Sequence, residues 1–288
     1  MLLLAQFLRM ELEILLSCRY NEINISATSG KPEKELVVRN FRTTAADKKS
    51  ICRNFRQVRI IIQNCEEEEG LYMRIIDLSH VIAEGMPVFP GTEPPRLAAA
   101  SSYEKDGYKE TLLSMYSHTG THVDPPAHLF AGRTTLDAMP IEQFAGKALV
   151  IECAHLGDGQ PITMKEVAAA GLAAAESVDF LLFHTGWDLR WGTDSYFGDY
   201  PCIDDEVIDF VLRTKKKGIG FDVIGVDPIA DANLTRHRKL FCEHDLINIE
   251  NLCNLDQCGK EPFWFFALPL KWENADGAPL RAVAVWMD

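Results

Sequence analysis

From residue 73 onward the chain alternates short apolar runs with turn residues. Segments 74–78, 148–153, 180–184, 219–226, 263–270 and 281–287 are mainly apolar and of strand length, the pattern of strands buried in a core. Two helix signals stand between them. Thr163-Met164-Lys165-Glu166 is a capping box that opens an Ala-rich helix, expected to end near Gly171 or Ala175. Asp204 can cap a second helix through Lys217, with Gly218 as its stop. Residues 85–91 (GMPVFPG) form a loop punctuated by Pro and Gly, Asp227-Pro228 is a turn, and residues 275–279 (ADGAP) read as a hairpin-like joint. No repeat of 20–50 residues is visible. Mixed strands and helices predict an α/β or mixed α+β fold with a largely β core.

The first 72 residues follow a different pattern. Residues 1–20 are apolar enough for a helix, but Arg9, Glu11 and Glu13 interrupt the run, well short of the roughly 20 residues a membrane span needs. There is no basic stretch before the apolar run and no small-residue cleavage site, so a secretory signal is a poor fit. Residues 21–60 sustain neither a helical nor a strand period.

Composition sharpens this seam. The 288 residues are 47% apolar and 25% charged, ordinary for a globular protein, with a net charge of −13. That balance offers no basic footprint for phosphate backbones, so nucleic acid is not an expected partner. Residues 1–72 carry 11 Lys+Arg, 10 Asp+Glu and no His, whereas all eight His follow Met73. The run Glu66-Glu67-Glu68-Glu69-Gly70 just before Met73 can be a translated purine-rich ribosome-binding sequence. One expectation is therefore a translated leader over residues 1–72 and a folded domain over residues 73–288. The other is a small N-terminal helix followed by an acidic linker.

The eight Cys include no CxxC pair, so a zinc ribbon or thioredoxin motif is unsupported. Free thiols in a reducing cytoplasm are the expectation, including Cys253 and Cys258. His80, His155 and His184 lack ligand-like neighbours in sequence and are expected to be structural. Residues 263–266 (FWFF) are expected to be core strand, and Lys215-Lys216-Lys217 a solvated helix end.

The informative stretch is residues 117–128, SHTGTHVDPPAH. His118, His122, Asp124 and His128 fall within eleven residues, and all are potential ligands for zinc or manganese. Their offsets are all even, so an extended chain presents them on one face. Ten residues fully extended would span about 33 Å, far more than one metal centre. The chain must therefore curl, and Gly120 and Pro125-Pro126 are where it can do so. The expected result is a bent loop folding His118, His122 and Asp124 around one centre, with His128 arriving from the far side. Structural zinc sites favour Cys and His, whereas carboxylate-bearing sites more often keep a position open for water.

This run resembles the signature of the cyclase/kynurenine formamidase-like metal-dependent hydrolases, which include bacterial arylformamidases and isatin hydrolases. The resemblance extends to Asp77-Leu78-Ser79 with residues 85–91, to Thr185-Gly186-Trp187, Gly225-Val226-Asp227 and Glu250-Asn251-Leu252, and to residues 267–270 and 281–283. It covers residues 73–288. It implies a compact, swivelling β/β/α fold, a homodimer or higher homo-oligomer, and one or two divalent metals, Zn2+ or Mn2+. His118 and His122 would bind the first metal and Asp124 could bridge both. His128 would be a catalytic acid/base or a ligand to the second metal. A distant Glu and His complete the family site. Glu250 takes the Glu place, and His237, 13 residues upstream, is favoured for the His over His244, six residues upstream. Phe89 and Thr92 stand where arylformamidases of this type often carry Trp and Asp, and Phe89 can stack on a flat substrate.

Water acidified by such a metal, with His128 passing a proton to the leaving nitrogen, suits hydrolysis of an amide, formamide or cyclic amide. The alternatives are a single-manganese enzyme like the isatin hydrolases, a lyase or dehydratase using the same metal, and a metal-containing binding protein without catalysis. The expected partners are a small-molecule substrate and further copies of the chain, not a membrane.

Overall fold

The computed structural model describes residues 73–287 together with two earlier strands, β1 (Glu35–Arg39) and β2 (Arg59–Gln63). The chain divides into two units, Met1–Tyr72 and Met73–Asp288. In the first, β1 and β2 pair in parallel, from Glu35 opposite Arg59 to Arg39 opposite Gln63. At five residues each, both strands are too short to sustain a period along residues 21–60. The helix expected over residues 1–20 and the acidic run 66–69 lie outside the described residues.

The second unit begins with β3 (Met73–Asp77), followed by a hairpin of β4 (Arg96–Ser101) and β5 (Glu110–Ser114). Then come β6 (His122–Asp124), β7 (Ala145–Glu152), β8 (Phe180–His184), β9 (Gly218–Phe221), β10 (Ile247–Glu250), β11 (Phe263–Pro269) and β12 (Ala278–Met287). β7, β8, β9 and β10 pair in parallel. β10 continues antiparallel to β6, β6 to β12, β12 to β11, and β11 back to β7. The sheet thus closes into a ring, with β3 added along β12.

Strand alternation divides the core in two. Ala148, Val150, Phe180, Leu182, Ile247, Ile249, Val123, Phe263 and Phe265 belong to one cluster. Leu149, Ile151, Leu181, Phe183, Ile219 and Phe221 belong to the other, with the helical Val207, Ile208, Phe210, Val211, Leu240 and Phe241. Successive strand residues face opposite sides, so the sheet packs its first face on itself and its second under helices. Because Val123 and Ile249 face the inner cluster, their neighbours His122, Asp124, Asn248 and Glu250 face the other way.

Several boundaries differ from expectation. The capping box forms at Thr163, but its helix spans only Met164–Ala169. Gly171, at φ 98°, breaks the path and a second helix runs over Leu172–Ser177. The helix capped by Asp204 covers Asp205–Arg213 and stops short of Lys217. Lys215 turns left-handed at φ 54°. Lys216 is buried rather than solvated, its Nζ donating to the carbonyls of Glu176 and Val178 at 2.9 and 2.7 Å. The strand expected over 219–226 ends at Phe221, because buried Asp222 turns to accept hydrogen bonds from the Thr185 and Gly186 amides. Of the expected core strand 263–266, Phe263 and Phe265 are buried, whereas Trp264 is exposed and Phe266 half-buried, because alternate residues of β11 face outward.

His80 lies flat on Trp191, with ring centroids 3.8 Å apart. Its Nε2 is buried without a hydrogen-bond partner, and burial lowers its pKa from 6.5 to about 4. The folded state holds His80 neutral in a range where the unfolded chain is protonated. Its contribution to stability is therefore present above pH 6.5 and lost as the pH falls toward 4. A His80→Phe protein should show a flatter melting temperature across that window than the wild type. Equal slopes in paired thermal melts would assign the acid sensitivity to other groups.

Candidate active site

β6 and β10 build the floor of the site through their register. Asn248 lies opposite Asp124 and Glu250 opposite His122, so four polar side chains gather on one sheet face. β6 is short because its chain bends at both ends. Gly120 takes φ 67° before it, and after it Pro126 opens a single 3-10 turn ending at His128. Thr121 Oγ1 donates to the Asn251 carbonyl at 2.6 Å and Asn251 Nδ2 donates to the Gly120 carbonyl at 2.8 Å, pinning the bend.

The fifth group arrives from the helix Thr235–Phe241. Asp227 anchors it. Its carboxylate accepts from the Arg236 and His237 amides at 2.7 and 3.1 Å, and from His237 Nδ1 at 2.7 Å. One carboxylate thus caps the helix, orients the imidazole and leaves Nε2 facing Glu250 Oε1 at 3.2 Å and Asp124 Oδ2 at 3.5 Å. On the opposite side His118 Nδ1 lies 2.6 Å and His122 Nε2 3.3 Å from Asp124 Oδ1. His122 Nδ1 donates to the Gly120 carbonyl at 2.8 Å, which frees its Nε2. Two donor sets overlap at Asp124, namely His118, His122 and Asp124, and Asp124, His237 and Glu250; a third, His118, His128 and Asp276, is more exposed and shares His118. His128 stands beside the first two, its ring 4.0 Å from that of His118 and 6.1 Å from that of His237.

These groups open onto one cavity of about 390 Å³, which Val88, Phe89, Tyr116, Ile224 and Leu234 also line. Phe89 is therefore placed at the same cavity as His118, His122, Asp124, His128, His237 and Glu250. His244 is not; it lines a separate cavity with Gln143 and Lys217. Asp227, Asn248, Asp276 and Gly277 are site residues that the sequence reasoning missed. Asn248 could have been found from its place two residues before Glu250 on a strand, which puts both on one face.

The donor set fits a divalent metal. Asp124 and Glu250 are buried, at 1% and 5% exposure, and no Lys or Arg lines their cavity among the described residues. Positive charge comes from imidazoles instead. Burial opposes protonation of His122, but Asp124 and Glu250 outweigh it and raise its pKa to about 9. For His237, burial is likewise outweighed by hydrogen bonds to Asp124, Asp227 and Glu250, so its pKa is raised well above the usual value. Asp124, despite burial, is held well below the usual carboxylate range by His122 and His118. A divalent ion can replace these protons on the same nitrogens. His118 Nε2 is buried without a hydrogen-bond partner, and a set of imidazoles and carboxylates suits zinc or manganese. His128 differs: burial lowers its pKa, with help from His118 and His237.

Gly277 is packed on His118 so closely that an added Cβ would overlap the imidazole. Its backbone φ is not positive, so Gly277→Ala changes the space and not the backbone preference. The variant should lose roughly tenfold to a hundredfold in metal affinity by pushing His118 aside, measured by equilibrium dialysis. An unchanged affinity would show that the imidazole can move without cost.

A closed sheet presenting buried imidazoles and carboxylates to an apolar cavity places the chain among the metal-dependent hydrolases. Residues 76–228 match the Cyclase family, described as "Putative cyclase", and the chain belongs to that family. A kynurenine formamidase of Bacillus thuringiensis (strain Al Hakam) is 32% identical over 211 residues, covering 72% of this chain and 95% of the relative. Another, of Bacillus mycoides (strain KBAB4), is 33% identical over the same length, with the same shares covered. Isatin hydrolase A from Labrenzia aggregata, solved bound to benzyl benzoate, superimposes with a TM-score of 0.67 at 26% identity, over 75% of this chain and 94% of that one. A potential metal-dependent hydrolase with cyclase activity gives a TM-score of 0.62 at 25% identity, over 74% of this chain and 98% of that one. The mixed α/β fold is the one these structures share.

Proposed function

We propose that this chain hydrolyses the C–N bond of a small aryl formamide, with cyclic amides as a second substrate class. The observation that carries the reading is a single cavity that joins an apolar wall to an imidazole–carboxylate cluster. Kinship with the Bacillus kynurenine formamidases supports a formamide, and the isatin hydrolase A likeness supports the cyclic amide. Phe89 lines the cavity and is exposed there, which supports its stacking on the aryl ring.

One or two divalent ions, Zn2+ or Mn2+, would be held by His118, His122 and Asp124 and by Asp124, His237 and Glu250. Such an ion supplies Lewis acidity and acidifies water at neutral pH. His128, kept neutral by burial, is our candidate acid/base: an imidazole nitrogen accepts a proton from the attacking water and returns it to the departing amine nitrogen. The C–N bond breaks, the carbonyl carbon gains the water oxygen, and acid and amine leave.

Residues 73–288 form the hydrolase domain in this reading, and residues 1–72 take no part in its chemistry. The family match at residues 76–228 supports that division. Among the described residues no helix is long and apolar enough to cross a membrane. Free Cys153, Cys202, Cys242, Cys253 and Cys258 support a reducing cytoplasm. The β4–β5 hairpin supports a homodimer or higher homo-oligomer. Leu97, Leu112 and Leu113 are exposed on it, and a lone hairpin is marginal in water. Light scattering on the eluting protein should read at least twice the 32.3 kDa chain mass.

The deciding experiment is turnover by protein reconstituted with Zn2+ or Mn2+, on N-formylkynurenine, isatin and cyclic imides. Faster turnover of N-formylkynurenine is expected. Metal bound with no turnover of any amide or lactone would overturn the reading in favour of a binding protein.

A further inference from the structure

Asn248 is fully buried and stands against the Asp124–His237–Glu250 donor set. Its Nδ2 lies 2.7 Å from Glu250 Oε1, 3.2 Å from Asp124 Oδ2 and 3.2 Å from His237 Nε2. Those three residues are the ones whose ligand atoms cluster as Asp124, His237 and Glu250. The carboxamide therefore presents its N–H groups to the two carboxylates a second cation would need, with His237 Nε2 beside them. The first set is free of it, because His118 and His122 approach Asp124 through the other oxygen, Oδ1.

The amide's orientation follows from its surroundings. Turned over, Asn248 would direct Oδ1 at two carboxylate oxygens, acceptor against acceptor, with His237 Nε2 the one neighbour able to donate to it. As placed, Oδ1 is buried with no partner. The hydrogen bonds from Nδ2 to charged carboxylates offset that loss, since hydrogen bonds to ionised groups are the stronger kind. β-sheet register fixes the placement: Asn248 sits directly across from Asp124 and two residues before Glu250.

We propose that Asn248 is a positioning residue that closes the Asp124–His237–Glu250 set to a cation, so that each chain binds one divalent ion tightly, at His118, His122 and Asp124. This rests on the metal-dependent reading above and narrows its one-or-two count to one. Asp124 Oδ2 and Glu250 Oε1 are then paired internally by the amide. Removing the amide leaves two buried carboxylates facing each other across His237, and a second cation becomes the group that satisfies them.

The test is metal stoichiometry. Purified wild-type chain, Asn248→Leu and Asn248→Asp are dialysed against Mn2+, and bound metal per chain is measured by elemental analysis and electron paramagnetic resonance. Leu removes the amide at nearly constant volume; Asp replaces the donor with a further oxygen ligand. Circular dichroism confirms which variants are folded, and either folded variant suffices. Expected are one equivalent with an isolated Mn2+ spectrum for the wild type, and two equivalents with a spin-coupled spectrum for a folded variant. Two tightly bound equivalents in the wild type would overturn the proposal while leaving the metal-dependent reading intact. A folded variant that stays at one would do the same. No bound metal in the wild type would overturn both.

Discussion

An Asp124→Asn protein is expected to retain about a tenth or less of the wild-type metal and to lose kcat/KM at least in proportion, about tenfold or more. Asp124 is the one residue common to the two buried donor sets, His118–His122–Asp124 and Asp124–His237–Glu250. Its Oδ1 faces His118 and His122, and its Oδ2 faces His237 and Asn248. Asparagine keeps the shape and removes the charge that holds these groups together. Elemental analysis beside steady-state kinetics checks it. Full metal content with near-normal turnover would show that the carboxylate organises the fold and not the ion.

A His128→Gln protein should keep its metal and lose about 10²- to 10⁴-fold in kcat, the usual worth of a positioned acid/base. His128 belongs to neither of the two buried sets that share Asp124 but to the more exposed His118–His128–Asp276 group, and it lines the same cavity. It also differs from His122 and His237 in having its pKa lowered rather than raised. Loss of metal together with activity would make it a ligand. Retained activity would hand proton transfer to another group.

The strands that could be read from sequence were those with continuous apolar runs, β7 and β8 above all, because both of their faces are buried. β4 and β5 were not readable: every residue of the hairpin is exposed or half-buried, so no side of it needs an apolar pattern. The helix Thr235–Phe241 was missed for a different reason. Its N-cap position is Leu234, not a capping residue, and its first amides are satisfied from Asp227, outside the helix. Within the site, His118, His122, Asp124 and His128 were legible because one short segment supplies all four. Asp227 and Asn248 were not, since their partners are set by helix capping and by strand register across 124 residues of chain. Lys216 was misjudged because its burial depends on the carbonyls at the end of a distant helix.

The closure of the sheet also bears on how the protein comes to be folded. β12 pairs with β3 at the start of the domain, with β11, and with β6 through Ala278 and Pro279 opposite Val123 and His122. Gly277, just before it, seats His118. Contacts of such long sequence separation make folding slow, because a large loop must close before they form. During synthesis the segment carrying His118, His122 and Asp124 leaves the ribosome some 150 residues ahead of the strand that completes its surroundings. A nascent chain can therefore carry all of the candidate ligands and still lack the site.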